Sequence, residues 1–232
     1  MLRLLASMAA FLAATAAHGA DRRYAISDFD RVIVEGPYAV TLTVGGPSSA
    51  VGRGSPQAME AVTVEVQGTT VKVRRNRSAW GGTPGRAPEP ATIILTTRNL
   101  RSARVIGTGS LDLSGARGLR VDLSLEGSGR LRAGALAVDA LNVALRGAGV
   151  LELAGDAKVV TADLQGAGSL NASALTTETA TIVAATAGDV SLSARRSAKV
   201  TANGLGVIVI GGTPACTIAG QAAAQVSCGK SR

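Results

Sequence analysis

The sequence predicts an all-β chain wound as a parallel β-helix, a solenoid with coils of about 20 residues, and three observations carry that prediction. The first is a glycine-centred motif that recurs as Gly107-Thr-Gly109, Gly127-Ser-Gly129, Gly147-Ala-Gly149, Gly166-Ala-Gly168, Thr186-Ala-Gly188 and Gly204-Leu-Gly206. Its last glycines stand 20, 20, 19, 20 and 18 residues apart. The second is that alignment on those glycines produces columns of one residue class. Leu111, Leu131, Leu151, Leu170 and Val190 lie two residues after the glycine, and Leu113, Ala133, Leu153, Ala172 and Leu192 lie four after it. Asp112, Arg132, Glu152, Asn171 and Ser191 lie between them, so each repeat alternates at the period of a strand with one buried face. The third is the same alternation before the glycines, in Val121-Asp-Leu-Ser-Leu125, Leu141-Asn-Val-Ala-Leu145 and Val160-Thr-Ala-Asp-Leu164. Each repeat therefore holds at least two strands separated by a glycine corner.

A strand–helix–strand crossover needs roughly 30 residues or more, which this period does not supply, so the chain must coil. Coiling stacks like upon like at the strand spacing of about 4.8 Å, leucine inside and polar residues outside. The outer ladder then reads acid, base, acid at Asp112, Arg132 and Glu152, with a second run at Glu126, Arg146 and Gln165. Opposite charges across a ladder contribute about 0.2–1 kcal/mol each, so they favour the register more than they create stability. The alternative is an antiparallel meander of hairpins, whose columns would not stack along one axis.

Taken from its start, the chain opens with a segment expected to be a secretory signal over residues 1–20. Arg3 gives it a positive start, Leu4–Ala17 an apolar run, and Ala17-His-Gly-Ala20 a small-residue exit. The apolar run is shorter than the ~20 residues that span a bilayer, and the mature chain offers no other candidate for a transmembrane segment. His18 is the only histidine, and processing would remove it. A mature chain without histidine cannot assemble a Ser-His-Asp or Cys-His nucleophile or a histidine zinc site. The expected metal, cofactor and catalytic complement is none.

Residues 21–99 form a distinct N-terminal β region. Val32-Ile-Val34, Tyr38–Val44, Val62–Val66 and Val71-Lys-Val73 read as strands divided by turns at Glu35-Gly-Pro37, Gly45-Gly-Pro47 and Gln67-Gly68. Longer strands without a glycine column fit either hairpins or irregular first coils. Phe29 and Tyr38 read as packing residues. A projecting loop is expected over residues 74–90, on its glycines, Pro84, Pro88 and Pro90. Trp80 with Arg74, Arg75 and Arg77 makes that loop the candidate binding site, because an indole stacks on a sugar face while guanidinium groups hold anions. The bland alternative is a solvated insertion with Trp80 folded against the barrel. Thr92-Ile-Ile-Leu-Thr96 leads into the regular repeats, which occupy residues 100–232 together with a C-terminal cap.

The formal charge is +8, or +7 once Arg3 leaves with the signal, and it favours anionic surfaces. Nucleic acid is not indicated, because the basic residues are spread and aromatic residues make up only 2% of the chain. Cys216 and Cys228 are the only cysteines, and in an exported chain a pair at this spacing is expected to form a disulfide that closes the last coil and shields its edge.

The Phe29-Asp-Arg-Val-Ile-Val-Glu-Gly36 opening after a signal peptide, a strand–turn–strand, tandem strands with Gly-Ser-Gly-like corners and a closing Gly211-Gly-Thr-Pro214 resemble the auto-transporter adhesin head domain called the GIN domain. The resemblance covers Phe29 to Cys228. It implies a right-handed parallel β-helix in exported bacterial proteins, with adhesion as the proposed role and no catalytic residues to carry over. Thr186 at one corner and the Trp80 loop depart from the pattern.

The expected function is an exported, non-enzymatic surface-interaction domain of the periplasm, outer surface or medium, with glycans or envelope components as partners and a homo-oligomer left open. The alternatives are an envelope structural protein without a ligand and a polysaccharide-active enzyme. The enzyme would need converging acids on one face, and the ladder Asp112, Arg132, Glu152 is the nearest approach.

Overall fold

The computed structural model describes residues 20–77 and 90–229. Among them seventeen strands join in one hydrogen-bonded sheet. The N-terminal strands are β1 (Ala20–Tyr24), β2 (Arg31–Glu35), β3 (Ala39–Val44) and β4 (Ser49–Gly54), then after a short helix (Pro56–Glu60) β5 (Val62–Gln67), β6 (Thr70–Arg75) and β7 (Thr92–Thr97). The repeats follow as β8 (Ser102–Gly107), β9 (Ser110–Ser114), β10 (Arg117–Gly127), β11 (Arg130–Gly147), β12 (Val150–Gly166), β13 (Ser169–Thr186) and β14 (Val190–Ala202). β15 (Ile208–Gly212), β16 (Ala215–Ala219) and β17 (Val226–Cys228) end the chain.

The repeats stack in parallel, as the solenoid prediction requires. Leu111, Leu131, Leu151, Leu170 and Val190 lie opposite one another on successive coils. The column continues through Val40 to Ile93 in one direction and through Ile208 to Val226 in the other. A second column runs Val71, Val32, Ala103, Leu123, Val143, Ala162, Ile182, Val200 and Ile218. Every member of it except Ile218 is buried.

In each coil the strand before the glycine corner is the first wall and the strand after it the second; each coil also has a third wall, which the sequence reading did not separate. In β11 the buried residues are Leu131 and Ala133, then Leu136 and Val138, then Leu141, Val143 and Leu145. The parity switches twice, and because strand side chains alternate, the chain must turn at each switch. The first turn coincides with a register shift between Ala133 and Leu136 and with Ala135 at φ 52°.

The corner between the first two walls is built by two glycines with different duties. Gly147 sits at φ 117°, where a side chain would be strained. Gly149 has an ordinary φ, but a Cβ there would lie 2.7 Å from the Gly129 carbonyl oxygen on the preceding coil. Thr186 departs from this pattern and compensates with its hydroxyl, which donates to the Gly168 carbonyl at 2.7 Å and accepts the Gly188 N–H at 3.1 Å.

The N-terminal region contains both hairpins and coils. β2 and β3 form a coil that pairs in parallel with β8 and β9 on one side and with β6 and β7 on the other. Spatial order therefore differs from chain order, since the coil of β6 and β7 lies outside the earlier coil of β2 and β3. β5 pairs antiparallel with β6, β4 with β7, and β1 with β4, so antiparallel strands cover this end. The expected loop is shorter at its start than 74–90, because β6 continues to Arg75.

Candidate functional site

The outward residues of the first wall form the candidate site. The core makes no packing demand on them, and most of them are polar. One outward column runs Arg31, Ser102, Asp122, Asn142 and Thr161, and its neighbour contains Arg104, Ser124, Ala144 and Asp163. Together with Arg120 they line a shallow groove of about 650 Å³. Asn142 Nδ2 donates to Asp122 Oδ1 at 2.6 Å, and Arg120 reaches the same oxygen at 3.5 Å. Arg104 Nε donates to Ser124 Oγ at 3.1 Å while its Nη2 lies 3.2 Å from Glu126. The groove thus presents hydroxyl, amide, carboxylate and guanidinium groups at the strand spacing, a set that binds polyhydroxylated or anionic molecules by hydrogen bonds.

The second wall carries the ladder expected from the sequence. Asp112, Arg132, Glu152, Asn171 and Ser191 are in register. Arg132 Nε lies 2.8 Å from Glu152 Oε2, and Arg130 Nη1 lies 3.7 Å from Oε1. Glu152 thus lies between two guanidinium groups. In the second run Glu126 faces Arg146 in register, yet its ion pair is with Arg104.

A further ladder on the third wall escaped the sequence reading. Lys158 Nζ lies 2.7 Å from Asp139 Oδ1, and Arg196 Nη2 lies 3.3 Å from Glu178 Oε2. The hydrogen bond to Asp139, then its charge, raises the Lys158 pKa above its usual value, with Glu178 adding to the effect. The signal was present, since Asp139, Lys158, Glu178 and Arg196 are spaced by 19, 20 and 18 residues, in step with the corner glycines.

The binding residues expected around the loop are divided. Arg74 lies on β6 and is committed to Glu65, with its Nε and its Nη2 each 2.9 Å from Oε1. Arg75 ends the same strand and is exposed, as is Arg77 just beyond it. Trp80 lies outside the described residues, as does most of the expected signal segment. Phe29 and Tyr38 are buried in the core, in keeping with their packing role.

Cys216 and Cys228 are joined by a disulfide, with their Cα atoms 6.6 Å apart. Cys216 stands opposite Ala198 and Cys228 opposite Ile210, both interior positions. The bond therefore crosses the open end of the core from the first wall to the second. Among the described residues no group of three or more His, Cys, Asp or Glu side chains is placed to hold a metal, and no helix is long and apolar enough to cross a membrane.

A family model described as "Putative auto-transporter adhesin, head GIN domain" matches residues 28–214. Among solved structures, a putative adhesin from Bacteroides fragilis superposes with a TM-score of 0.78 at 20% identity, over 88% of this chain and 95% of that one. A putative lipid binding protein from Parabacteroides distasonis gives 0.70 at 18% identity, over 93% and 98%. A putative adhesin from Parabacteroides merdae gives 0.64 at 14% identity, over 93% and 97%. At these identities the likeness is one of fold. No curated protein matches the chain.

Proposed function

Because the chain belongs to the auto-transporter adhesin head GIN domain family, we propose that it is an exported, non-enzymatic domain that binds glycans or other envelope components through the groove on its first wall. The observation that carries this reading is the outward column Arg31, Ser102, Asp122, Asn142, Thr161, a row of unlike hydrogen-bonding groups on a rigid parallel sheet. A polyhydroxylated chain lying along the stacking direction would meet a new donor or acceptor every ~4.8 Å. Arg104 and Arg120 would hold acidic substituents, and the positive net charge would draw such ligands in. Arg75, Arg77 and Trp80 supply a second contact zone on this reading.

The non-enzymatic part rests on the partners of the acids. Glu152 is clamped by Arg130 and Arg132, and Asp122 by Asn142 and Arg120, which fits charge balance better than general acid–base work.

Binding of the purified chain to an array of bacterial glycans is the test. Arg104→Ala combined with Asn142→Ala should weaken the retained ligands at least about tenfold, as loss of charge-assisted hydrogen bonds does. An array that retains nothing, or retention indifferent to those substitutions and to Trp80→Ala, would favour a structural envelope role. Turnover of an anionic polysaccharide that disappears in Glu152→Gln would replace the proposal with an enzyme.

A further inference from the structure

We propose that a small pocket beside the first-wall groove, at the start of β2 and β8, is the subsite for the terminal sugar of a glycan whose following sugars lie along the groove. The inference rests on the glycan reading of that groove and adds to it that the ligand is read from a chain end.

Three observations lead to it. First, Asp28, Asp30, Ser48, Arg98, Asn99 and Arg101 line a pocket of about 290 Å³. Ligand pockets run from about 300 to 1,000 Å³, so this one takes a single sugar ring and not a run of them. Second, the pocket adjoins the groove. Asp30 and Arg101 line the pocket, and the residues that follow them on the chain, Arg31 and Ser102, line the groove. Arg31 and Ser102 lie opposite each other in the β2–β8 register, so the two sites meet along one edge of two adjacent coils. Third, buried polar atoms without a partner gather here. Among the described residues three buried side-chain oxygens make no hydrogen bond, Tyr24 Oη, Asp30 Oδ1 and Ser48 Oγ, and the last two belong to residues of this pocket. An unpaired buried polar group costs stability, so two of them at one pocket mark where a polar partner binds.

The charges identify the class of that partner. Arg98 Nη1 lies 3.8 Å from Asp28 Oδ2, and Arg101 Nε lies 3.1 Å from Asp30 Oδ2. Arg31 Nε stands 3.9 Å from Asp30 Oδ1, beyond hydrogen-bond reach, so that oxygen keeps its capacity to accept. Two carboxylates matched by two guanidinium groups, with a third alongside, leave no net negative charge to hold a metal ion, and an anion would meet both carboxylates. A hydroxyl suits both kinds of group, because it donates to a carboxylate and accepts from a guanidinium. Planar carboxylate and guanidinium groups also take adjacent hydroxyls in pairs, which is how a sugar ring presents them. Asp30 Oδ1 accepts one sugar hydroxyl, and Ser48 Oγ bonds a second.

The probes are the oligosaccharides that an array of bacterial glycans retains, each displayed intact and after an exoglycosidase has removed its terminal sugar. Shortening should weaken retention about tenfold or more, the size of losing hydrogen bonds to charged groups. Ser48→Ala should weaken the intact probe about threefold to tenfold and leave the shortened one unchanged. Because the hydroxyl has no partner in the free chain, the same substitution should not lower the denaturation midpoint. Asp30→Asn should weaken the intact probe about tenfold, with circular dichroism checking that the solenoid is retained now that Arg101 has lost its charged partner. If shortening and both variants left retention unchanged while Arg104→Ala with Asn142→Ala still weakened it, the groove would read the interior of glycans and the pocket would hold only water. That result overturns the end-binding subsite and leaves the groove reading standing. A less stable Ser48→Ala chain that loses intact and shortened probes equally would mark Ser48 as structural and overturn the subsite too. An array that retains nothing removes the groove reading and the subsite together.

Discussion

At the N-terminal end the outermost coil, β6 and β7, is covered by the antiparallel strands β5 and β4, whereas at the C-terminal end β16 and β17 have no strand beyond them among the described residues. The N-terminal cover is noncovalent and charged. Glu65 is held by Arg74, and Lys72 donates to Gln67 at 2.9 Å, so the exposed edge of the hairpin carries groups that discourage a further strand. With Cys216 and Cys228 bonded to each other, no side chain from Val200 to Gly229 is ionisable, and this stretch relies on the disulfide across the core. A parallel stack cannot bury its own last coil, so each end needs a separate solution. A cover of strands completes the core and closes the edge together. A covalent bond ties the walls to each other and leaves the edge available.

The same substitution at both ends exposes this difference most directly. Ile93 lies on β7 in the outermost N-terminal coil and is fully buried, whereas Ile218 lies on the outermost C-terminal coil at 37% exposure. Ile93→Ala should cost about 2–5 kcal/mol, the range for a core truncation that leaves a cavity. Ile218→Ala should cost about 1 kcal/mol or less, because the side chain is already partly in solvent. Denaturant titration of the two variants checks the pair. Equal costs would mean that the C-terminal coil is as well covered as the N-terminal one.

Loss of the disulfide comes next in size. Replacing both cysteines by serine should destabilise the end by about 3 kcal/mol on the chain-entropy account for a loop of this length. In a stack whose coils contact only their neighbours the effect should stay local. Hydrogen exchange should accelerate in residues 215–229 and remain unchanged in β2, β3 and β6. Acceleration throughout the chain would show that the ends are coupled and that the comparison is too simple.

Much of this contrast was legible in the sequence, though unevenly. The interior columns and the corners followed from the glycine period, because stacking at a fixed spacing turns sequence period directly into contact. The disulfide followed from there being two cysteines in a chain expected to be exported. The third wall was hidden because its turns have no shared glycine column, and Ala135 and Gly155 make the same bend in successive coils. The placement of β2 and β3 inside the coil of β6 and β7 was hidden because a period cannot reveal a spatial order that departs from chain order. At the site, the sequence showed the alternation that turns Asp122, Ser124, Asn142, Thr161 and Asp163 away from the core, but it pointed to the Trp80 loop for binding and not to the groove those residues line. Arg74 was expected to be a binding residue because its partner Glu65 is reached only across the β5–β6 hairpin, whose register decides the pairing.

The smallest expected effect separates the ends by pH. The Tyr38 hydroxyl donates to the Ala61 carbonyl at 2.9 Å, tying the corner between β2 and β3 to the start of β5. Tyr38→Phe should cost about 1 kcal/mol, the net value of one such bond. Burial raises the pKa of Tyr38, with Arg75 opposing, and burial likewise raises that of Tyr24 above the ordinary 10.0, with Arg22 opposing. A phenol whose folded pKa exceeds its unfolded one binds its proton more tightly in the folded chain. Its contribution is complete below pH 10.0 and is lost as pH rises through the folded value. Both tyrosines belong to the N-terminal end, so alkaline titration should loosen that end first, seen as tyrosinate absorbance rising together with exchange in β1 to β6. In Tyr38→Phe the alkaline loss should shrink, while residues 200–229, whose two cysteines are bonded and leave no side chain to ionise, should hold their protection through the same range. If the C-terminal coils loosened first, the open edge and not the buried phenols would set the alkaline limit.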